Sequence, residues 1–247
     1  MGETRAQHAY EEDVDVQTTE FHPDSIPWTV RDVWLGVLVL GPWWVVFITG
    51  AILLQSLDLN VNPGLVIALG ELLMLLPVWW LGVRKYRVGW GALGLRAFRG
   101  QALGVGCGLM LISFLFNAFY SVLLAFFDLE VQADLAPVFA ELSSPWWLLL
   151  AGVVVAPLVE EVFFRGFLFA GLRKRYEWQT AALISSALFA LIHLQLTSVL
   201  PIFLLGYIFA YLYHRSNSIW PAILMHVTTN GLALGTAYLL ANTDLPT

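Results

Sequence analysis

The 247-residue sequence has few charges and little capacity for covalent cross-links. Charged residues make up 12% of the chain, about half the fraction typical of soluble domains. Its one cysteine excludes the disulfide framework of small secreted modules, and its formal net charge of -6 excludes a basic nucleic-acid binder. Hydrophobic residues instead make up 59% of the chain, which excludes a soluble nucleotide-binding domain and predicts a multi-pass membrane protein.

Several common catalytic signatures are also missing. The chain has no G-x-S-x-G motif, so it lacks the nucleophile elbow of serine hydrolases, and no H-E-x-x-H motif of zinc proteases. Cys107 lies within an apolar run and is interpreted as a small packing residue. The G-x-G-x-x-G spacing that begins at Gly89 follows a basic loop without a βαβ context, so it does not predict a dinucleotide site.

Seven apolar runs predict an all-α, multi-pass transmembrane helix bundle with seven spans, or eight if a long run is split. The runs cover approximately 33–55, 63–83, 101–127, 145–172, 177–193, 198–213 and 219–240. The predicted segments are an acidic, mostly disordered cytoplasmic tail (1–32), N-terminal transmembrane helices (33–127), an extracytoplasmic loop (128–144), a catalytic transmembrane core (145–240) and a C-terminal tail (241–247).

Basic residues mark one side of the predicted bundle. All lysines and arginines except Arg165 lie in the N-terminal tail or in the connections at 84–100, 173–175 and 215. The alternate connections contain none. The positive-inside rule therefore predicts a cytoplasmic N-terminus and an extracytoplasmic C-terminus. The N-terminal tail lacks the basic start and apolar stretch of a signal peptide, so we expect it to be retained.

Strongly polar residues are rare within the runs and therefore indicate function. They are Glu71, Asn117, Glu160, Glu161, Arg165, His193, His226 and Asn230. Glu161 and Arg165 are four residues apart, so they share a helical face and can neutralise one another. Glu160 points about 100° away from Glu161 and lacks that cationic partner.

Two further runs carry polar groups to the same depth. His226 and Asn230 share a face of one helix, and His193 lies on another. Depths estimated at about 1.5 Å per residue place these groups and Glu160 near the bilayer midplane. Because each polar group is costly in lipid, we expect them to line one polar cavity.

The chemistry predicted for this cavity is amide-bond hydrolysis. An unpaired carboxylate can act as a general base on water, a neutral histidine can orient that water, and nearby donors can stabilise an oxyanion. Two alternatives stay open at this point. Two histidines and two glutamates could hold a divalent metal, or the cluster could only hold the helices together.

The three spacings together resemble a known family. Glu160-Glu161-Val162-Phe163-Phe164-Arg165, Phe189-x-x-x-His193 and His226-x-x-x-Asn230 are similar to the E-E-x-x-x-R, F-x-x-x-H and H-x-x-x-N/D motifs of the CPBP family. This family contains the type II CAAX prenyl proteases and the bacteriocin-processing, or Abi, intramembrane endopeptidases. The resemblance covers residues from about 145 to 240.

The resemblance implies a role for each motif residue. Glu160 would be the catalytic base and His193 would help to activate water. Glu161 and Arg165 would shape and charge-balance the site, and His226 with Asn230 would stabilise the oxyanion. No cofactor would be required; in the metal-dependent alternative, zinc would be bound by Glu160, His193 and His226.

The predicted function is therefore an intramembrane endopeptidase that hydrolyses a peptide or membrane-protein substrate in a prokaryotic plasma membrane. Its partners would be that substrate and the lipid bilayer, with no nucleic acid. The alternative from another class is a non-catalytic membrane protein, such as an immunity or scaffold factor. Glu71 lies at the predicted depth of Glu160, so it either lines the same cavity or has a packing role.

Overall fold

The computed structural model describes residues 25–57, 61–131, 135–142 and 144–243. The regular structure in these residues is helical, with no strand among them, as predicted for an all-α protein. Six helices are long and apolar enough to cross a membrane, which makes the chain an integral membrane protein. They are Val30–Leu54, Pro63–Arg84, Gln101–Ala125, Trp146–Leu172, Leu196–Ser216 and Trp220–Ala241.

The helices are labelled in chain order. They are α1 (Val30–Ser56), α2 (Pro63–Leu73), α3 (Leu75–Val78), α4 (Gln101–Ala125), α5 (Ala136–Glu141), α6 (Trp146–Leu150), α7 (Ala156–Glu161), α8 (Ala170–Leu172), α9 (Trp178–Leu191), α10 (Val199–Ser216) and α11 (Trp220–Ala241). Shorter turns are π-helical at Trp79–Arg84, Ala151–Val155 and Val162–Phe169, and 3-10 at Trp90–Leu93 and Leu196–Ser198.

The predicted run at 177–193 forms a helix shorter than a full span. α9 has 14 residues, or about 21 Å at 1.5 Å per residue, against a hydrocarbon core about 30 Å thick. It ends at Leu191, so His193 lies in the turn after the helix rather than on it. α9 then packs against α10, which leads back through the bundle.

Connections predicted on the basic side contact one another. Lys174 Nζ donates a hydrogen bond to the carbonyl of Ile26 (3.0 Å), joining the turn after α8 to the start of the described chain. Ser218 Oγ donates to the carbonyl of Arg96 (2.6 Å), joining the α10–α11 connection to the loop before α4. The basic connections therefore share one face of the molecule.

The connections without basic residues meet at the other face. Asn62 Nδ2 donates to the carbonyl of Ser144 at 3.4 Å. Thr197 Oγ1 donates to the carbonyl of Val131 at 3.1 Å, and Ser198 Oγ donates to the same oxygen. The two sets of connections are thus grouped as the charge pattern predicts. The cytoplasmic location of the basic face stays a prediction.

The segment before α1 belongs to the core. The predicted disorder of residues 1–24 lies outside the described residues, whereas Ile26 and Trp28, in the same predicted tail, are core residues. Trp28 is fully buried, and its indole Nε1 donates to the carbonyl of Phe167 (2.9 Å) in a π-helical turn. A wider turn leaves carbonyls without their usual helical partners, so a buried side-chain donor is stabilising there.

The Trp146–Leu172 segment, hereafter the central rod, is the most buried of the six spans. It alternates α-helical and π-helical turns, and Pro157 lies at the junction between the first π-helical turn and α7. Proline lacks the N–H of a regular helix, so it favours an irregular backbone at this point. The two predicted catalytic glutamates follow directly, at the end of α7.

Candidate active site

Glu161 is the centre of a buried polar cluster that joins the central rod to α11. Its Oε1 accepts a hydrogen bond from Arg165 Nη1 at 2.9 Å and another from His226 Nδ1 at 3.0 Å. Both Glu161 and Arg165 are fully buried. The structure thus contains the ion pair that the four-residue spacing predicts, and adds an imidazole from another helix that spacing alone did not predict.

Arg165 is held by groups from three helices. Its Nη2 donates to the carbonyl of Gly206 in α10 at 3.0 Å, and its guanidinium lies over the rings of Phe189 (4.4 Å to the centroid) and Phe209 (5.3 Å). Burying a guanidinium is tolerated only with such pairing, and the aromatic faces add cation–π stabilisation. The arginine therefore fixes α9 and α10 against the central rod.

The contact at Gly206 requires a residue without a side chain. A Cβ at this position would lie 3.2 Å from Arg165 Nη2, 3.1 Å from Ser186 Cβ and 3.2 Å from the ring of Phe189. These distances are tighter than ordinary van der Waals contact. Glycine thus allows the arginine head to reach the α10 backbone.

His226 connects the two glutamates. A carboxylate only accepts hydrogen bonds, so the Nδ1 atom that contacts Glu161 carries the proton. The other ring nitrogen, Nε2, lies 3.7 Å from Glu160 Oε2. The ring is held in this orientation by stacking on Phe209, with centroids 5.0 Å apart. The second ring nitrogen, Nε2, therefore faces Glu160.

Glu160 differs from its neighbour in lying beyond hydrogen-bond distance of the groups that hold Glu161: it is 3.7 Å from His226 Nε2 and forms no ion pair with Arg165. The side chain is buried, with 7% relative exposure, and Oε2 makes no hydrogen bond to any atom of the described chain. Buried polar atoms are normally paired, and an exception asks for a functional explanation. Glu161 also has an Oε2 without a partner, but its Oε1 accepts from both Arg165 and His226, so the carboxylate less constrained by protein donors is Glu160.

His193 is fixed in one tautomer by the backbone. Its Nδ1 lies 2.7 Å from the carbonyl of Phe189, and because a carbonyl only accepts, Nδ1 must donate. Nε2 of the neutral ring then carries a lone pair that can accept a hydrogen bond. The Phe189 ring contacts both His193 and His226, at centroid distances of 4.9 and 5.8 Å, so one phenylalanine positions both imidazoles.

Asn230 is positioned by the irregular backbone of the central rod. Its Nδ2 donates to the carbonyl of Gly152 at 2.8 Å, within the π-helical turn Ala151–Val155. The sequence paired Asn230 with His226 as oxyanion donors, whereas in the structure each side chain also binds the central rod. A carboxamide nitrogen has two donors, so the Gly152 contact leaves one for another acceptor.

The geometry does not form a metal centre within the part of the chain that the structure describes. No group of three or more His, Cys, Asp and Glu residues there is arranged to hold a metal ion. The proposed zinc set of Glu160, His193 and His226 is not among such groups, and metal dependence stays a prediction for experiment. His193 Nδ1 and His226 Nδ1 are bound to the Phe189 carbonyl and to Glu161, so the ring nitrogen that could bind a metal is Nε2 in each case.

Some residues that shape the site carry no sequence signal for it. Gly206, Phe209 and Gly152 contribute a backbone carbonyl, a stacking ring and a second carbonyl. They are ordinary residues of apolar helices. Phe189 was part of a recognised motif, but its contact with both histidines depends on the packing of helices. In the sequence, only the charge of Arg165 within an apolar run indicated that partners from other helices are needed.

Comparison with known proteins confirms the predicted family resemblance. Residues 142–232 match the family described as "Rce1-like: Type II CAAX prenyl endopeptidase Rce1-like". This segment contains all six predicted site residues. It comprises the central rod, α9, α10 and the first half of α11. The match therefore supports a membrane protease in general terms.

Three curated relatives are similar over parts of their length. The chain is 34% identical over 83 residues to "Putative membrane peptidase YdiL" of Bacillus subtilis (strain 168), covering 34% of each chain. It is 35% identical over 116 residues to "Uncharacterized 24.3 kDa protein" of Escherichia coli, covering 43% of this chain and 54% of that protein.

The third relative, "UPF0177 protein YxdF" of Lactococcus lactis subsp. lactis (strain IL1403), is 33% identical over 78 residues, or 31% of this chain and 42% of that protein. The chain thus spans about a third to a half of the length of these relatives. No solved structure matches the chain.

Proposed function

From the Rce1-like match and the geometry of the buried cluster, we propose that the protein is an intramembrane endopeptidase in which Glu160 activates water. The observation that carries the proposal is the contrast between two adjacent glutamates. Glu161 is hydrogen-bonded to Arg165 and His226 through Oε1, whereas Glu160 lies 3.7 Å from His226 Nε2, beyond hydrogen-bond distance, and forms no ion pair with Arg165. A base must be free to take a proton, so the available carboxylate is Glu160.

The first step is attack of water on the peptide carbonyl. Glu160 takes one proton from the water while the water oxygen forms a bond to the carbonyl carbon. The Nε2 lone pair of His193 accepts a hydrogen bond from the second proton and orients the water. The product of this step is a tetrahedral intermediate that carries negative charge on the former carbonyl oxygen.

The second step is collapse of this intermediate. The carbon–nitrogen bond breaks, Glu160 returns its proton to the leaving amine, and the new carboxylic acid keeps the water oxygen and its second proton. During both steps the second Nδ2 donor of Asn230 and a proton on His226 Nε2 stabilise the oxyanion. Each well-placed donor of this kind contributes about 3 to 4 kcal/mol to transition-state stabilisation.

The substrate class follows from where the cluster lies. Glu160, Glu161 and His226 are buried among helices that each cross the membrane, so the cleaved bond must reach the bundle interior. A membrane-associated peptide or a membrane protein fits this requirement. We place the protein in a prokaryotic plasma membrane, with its N-terminus in the cytoplasm.

The test is peptide cleavage by the purified protein in nanodiscs, read by mass spectrometry. A library of unmodified and lipidated peptides is incubated with the wild type, Glu160→Gln and a matched control, Glu130→Gln. Glu130 is an exposed residue after α4, so its substitution makes the same chemical change away from the site. We expect cleavage by the wild type and the control, and its loss in Glu160→Gln.

The same assay separates the alternatives. Cleavage that persists with a strong chelator supports activation of water by glutamate alone. Cleavage that chelator abolishes and zinc or cobalt restores would replace this mechanism with a metal-dependent one. Absence of cleavage across the whole library, or equal cleavage by Glu160→Gln, would refute the proposal; the first outcome favours a non-catalytic scaffold or immunity role.

A further inference from the structure

The basic face carries an excess of positive charge that the described residues do not balance. It is formed by the start of α1 and the connections at 84–100, 173–175 and 215, and it holds ten arginines and lysines. Of the acidic residues that the structure describes, only Asp32 and Glu177 lie on this face, and Asp32 is buried in an ion pair. A charge excess of this size attracts an anionic partner.

Contacts between the connections hold these charges on one surface. The hydroxyl of Tyr86 donates a hydrogen bond to Asp32 Oδ2 at 2.6 Å, which joins the connection before α4 to the start of α1. Arg173 Nη1 donates to His214 Nδ1 at 2.9 Å, which joins the turn after α8 to the end of α10. The basic face is therefore one continuous surface rather than a set of separate loops.

Exposed arginines on this surface have no acidic partner in the described chain. Arg31, Arg84, Arg87 and Arg175 are exposed, and none of them forms an ion pair with a described residue. The guanidinium of Arg84 lies over the ring of Trp80, 4.7 Å from its centroid, which orders the side chain without neutralising its charge. An anionic partner for these arginines therefore has to come from outside the described residues.

The chain itself contains an anionic segment next to this surface. Residues 1–24, hereafter the acidic segment, contain seven acidic residues and one arginine, a formal charge of -6. The described chain begins on the basic face, where Ser25 is exposed and the carbonyl of Ile26 accepts a hydrogen bond from Lys174 Nζ at 3.0 Å. The acidic segment is thus joined to the bundle at the surface whose charge it complements.

The acidic segment is also long enough to cover the basic face. A chain spans at most about 3.3 to 3.6 Å per residue, so Glu11 can lie up to about 50 Å from Ser25. A tethered partner acts at an effective concentration of about millimolar, which favours it over a partner in solution. We propose that the acidic segment binds the basic face, with the acidic cluster at 11–15 forming ion pairs with the exposed arginines.

Anionic lipid headgroups are the competing partner for the same charges, because basic residues beside a membrane attract them. If headgroups occupied the basic face, the acidic segment would be tethered next to a negative membrane surface and repelled by it. Binding of the segment to the basic face removes this repulsion and balances the arginines. The charges therefore favour the acidic segment over lipid as the occupant.

Carbodiimide cross-linking tests the proposal in the full-length protein. The reagent joins a carboxylate to a lysine amine in contact with it, and Lys85 and Lys174, the only lysines in the sequence, both lie on the basic face. The protein is treated in phosphatidylcholine nanodiscs and in nanodiscs that also contain phosphatidylglycerol, and linked peptides are identified by mass spectrometry. We expect links from Lys174 to the acidic cluster at 11–15 in both, with the Lys85–Asp32 link as internal control.

Replacing the arginines separates binding from random contact of a tethered chain. A variant that combines Arg31→Gln, Arg84→Gln, Arg87→Gln and Arg175→Gln keeps both reacting groups. Since one exposed ion pair changes an equilibrium by up to about fivefold, the yield of links from Lys174 to residues 11–15 should fall at least about fivefold. The same loss is expected for the wild type in about 1 M salt, where the Debye length is about 3 Å. The Lys85–Asp32 link should persist in the variant.

Three results would overturn the proposal. Equal yields in the wild type and the variant would reflect tethering alone, and links confined to phosphatidylcholine would assign the basic face to anionic lipid headgroups. Absence of links to residues 11–15 in both nanodiscs would also refute it. A link to Asp24 is not counted, because this residue lies two positions before Ile26, which Lys174 already contacts.

A smaller variant keeps the test decisive if the fourfold variant does not fold. In Arg31→Gln combined with Arg175→Gln, a fall of at least about twofold in the same links supports the proposal, and an unchanged yield refutes it. Binding of the acidic segment requires no peptide cleavage. The cross-linking result is therefore independent of whether the proposed proteolytic function holds.

Discussion

Replacing the buried Arg165 should lower the free energy of unfolding more than replacing any surface arginine does. Arg165→Met leaves the Glu161 carboxylate buried beside only one donor, His226, and removes the hydrogen bond to the Gly206 carbonyl. Breaking a buried ion pair by removing one partner costs about 3 to 5 kcal/mol. For a chain of this size, 1 kcal/mol shifts the melting temperature by about 2 to 4 °C. We therefore expect Arg165→Met to lower it by about 10 °C.

The measurement is thermal unfolding of the purified protein in nanodiscs, followed by tryptophan fluorescence. The matched control is Arg215→Met, because Arg215 is exposed at the end of α10. We expect the control to stay within about 0.5 kcal/mol of the wild type, as surface substitutions usually do. An Arg165→Met variant as stable as this control would refute the electrostatic argument.

A double-mutant cycle distinguishes charge from packing. Glu161→Gln alone leaves a buried, unpaired guanidinium, whereas Glu161→Gln combined with Arg165→Met removes both charges. The double variant should therefore be more stable than the sum of the single effects implies, by about 1 to 3 kcal/mol. Simple additivity would show that the two side chains stabilise the bundle independently, contrary to the 2.9 Å contact between them.

Three further predictions concern residues around the cluster. Gly206→Ala should destabilise by about 1 to 3 kcal/mol in the same unfolding assay, because its Cβ overlaps neighbouring side chains. Asn230→Ala should lower kcat about 10²- to 10³-fold with little change in KM; an unchanged kcat would limit the side chain to its Gly152 contact. Hydrogen bonding to the Asp32 carboxylate raises the pKa of Lys85 above its usual 10.5, so stabilisation by Lys85 is lost as pH rises through the raised pKa. The melting-temperature difference between wild type and Lys85→Met should narrow beyond pH 10.5, and a constant difference would contradict this origin.

Contacts within one helix were predictable from the sequence. Four-residue spacing fixes relative direction on a helix, so the pairing of Glu161 with Arg165 followed from residue numbers alone. The alternation of basic and non-basic connections likewise predicted which loops lie together. The spacing pattern depends on the geometry of a single helix, and the charge pattern depends on which side of the bilayer each connection lies. Neither required knowledge of how the helices pack.

Contacts between helices were harder to predict because they depend on how each helix is rotated about its axis and how far it is shifted along that axis. The π-helical turns of the central rod change both, since each inserts an extra residue into the helical repeat. The sequence therefore predicted a depth for His226 and for Asn230. It did not predict the bond of His226 to Glu161 or the bond of Asn230 to Gly152. Nor did it predict the bond of Trp28 to Phe167, because nothing local indicated a carbonyl of the central rod as its partner.

The indole hydrogen bond of Trp28 has a consequence for biogenesis. Its acceptor, Phe167, lies 139 residues later in the chain, so at least three membrane-spanning helices are synthesised before the partner exists. The segment around Trp28 therefore lacks its hydrogen-bond acceptor until the central rod has been synthesised and inserted. Packing around Phe167, a few residues after Glu160 and Glu161, then joins the part of the core that is synthesised first to the part that is synthesised later. Insertion of the central rod thus supplies the hydrogen-bond acceptor that the first-made part of the core lacks.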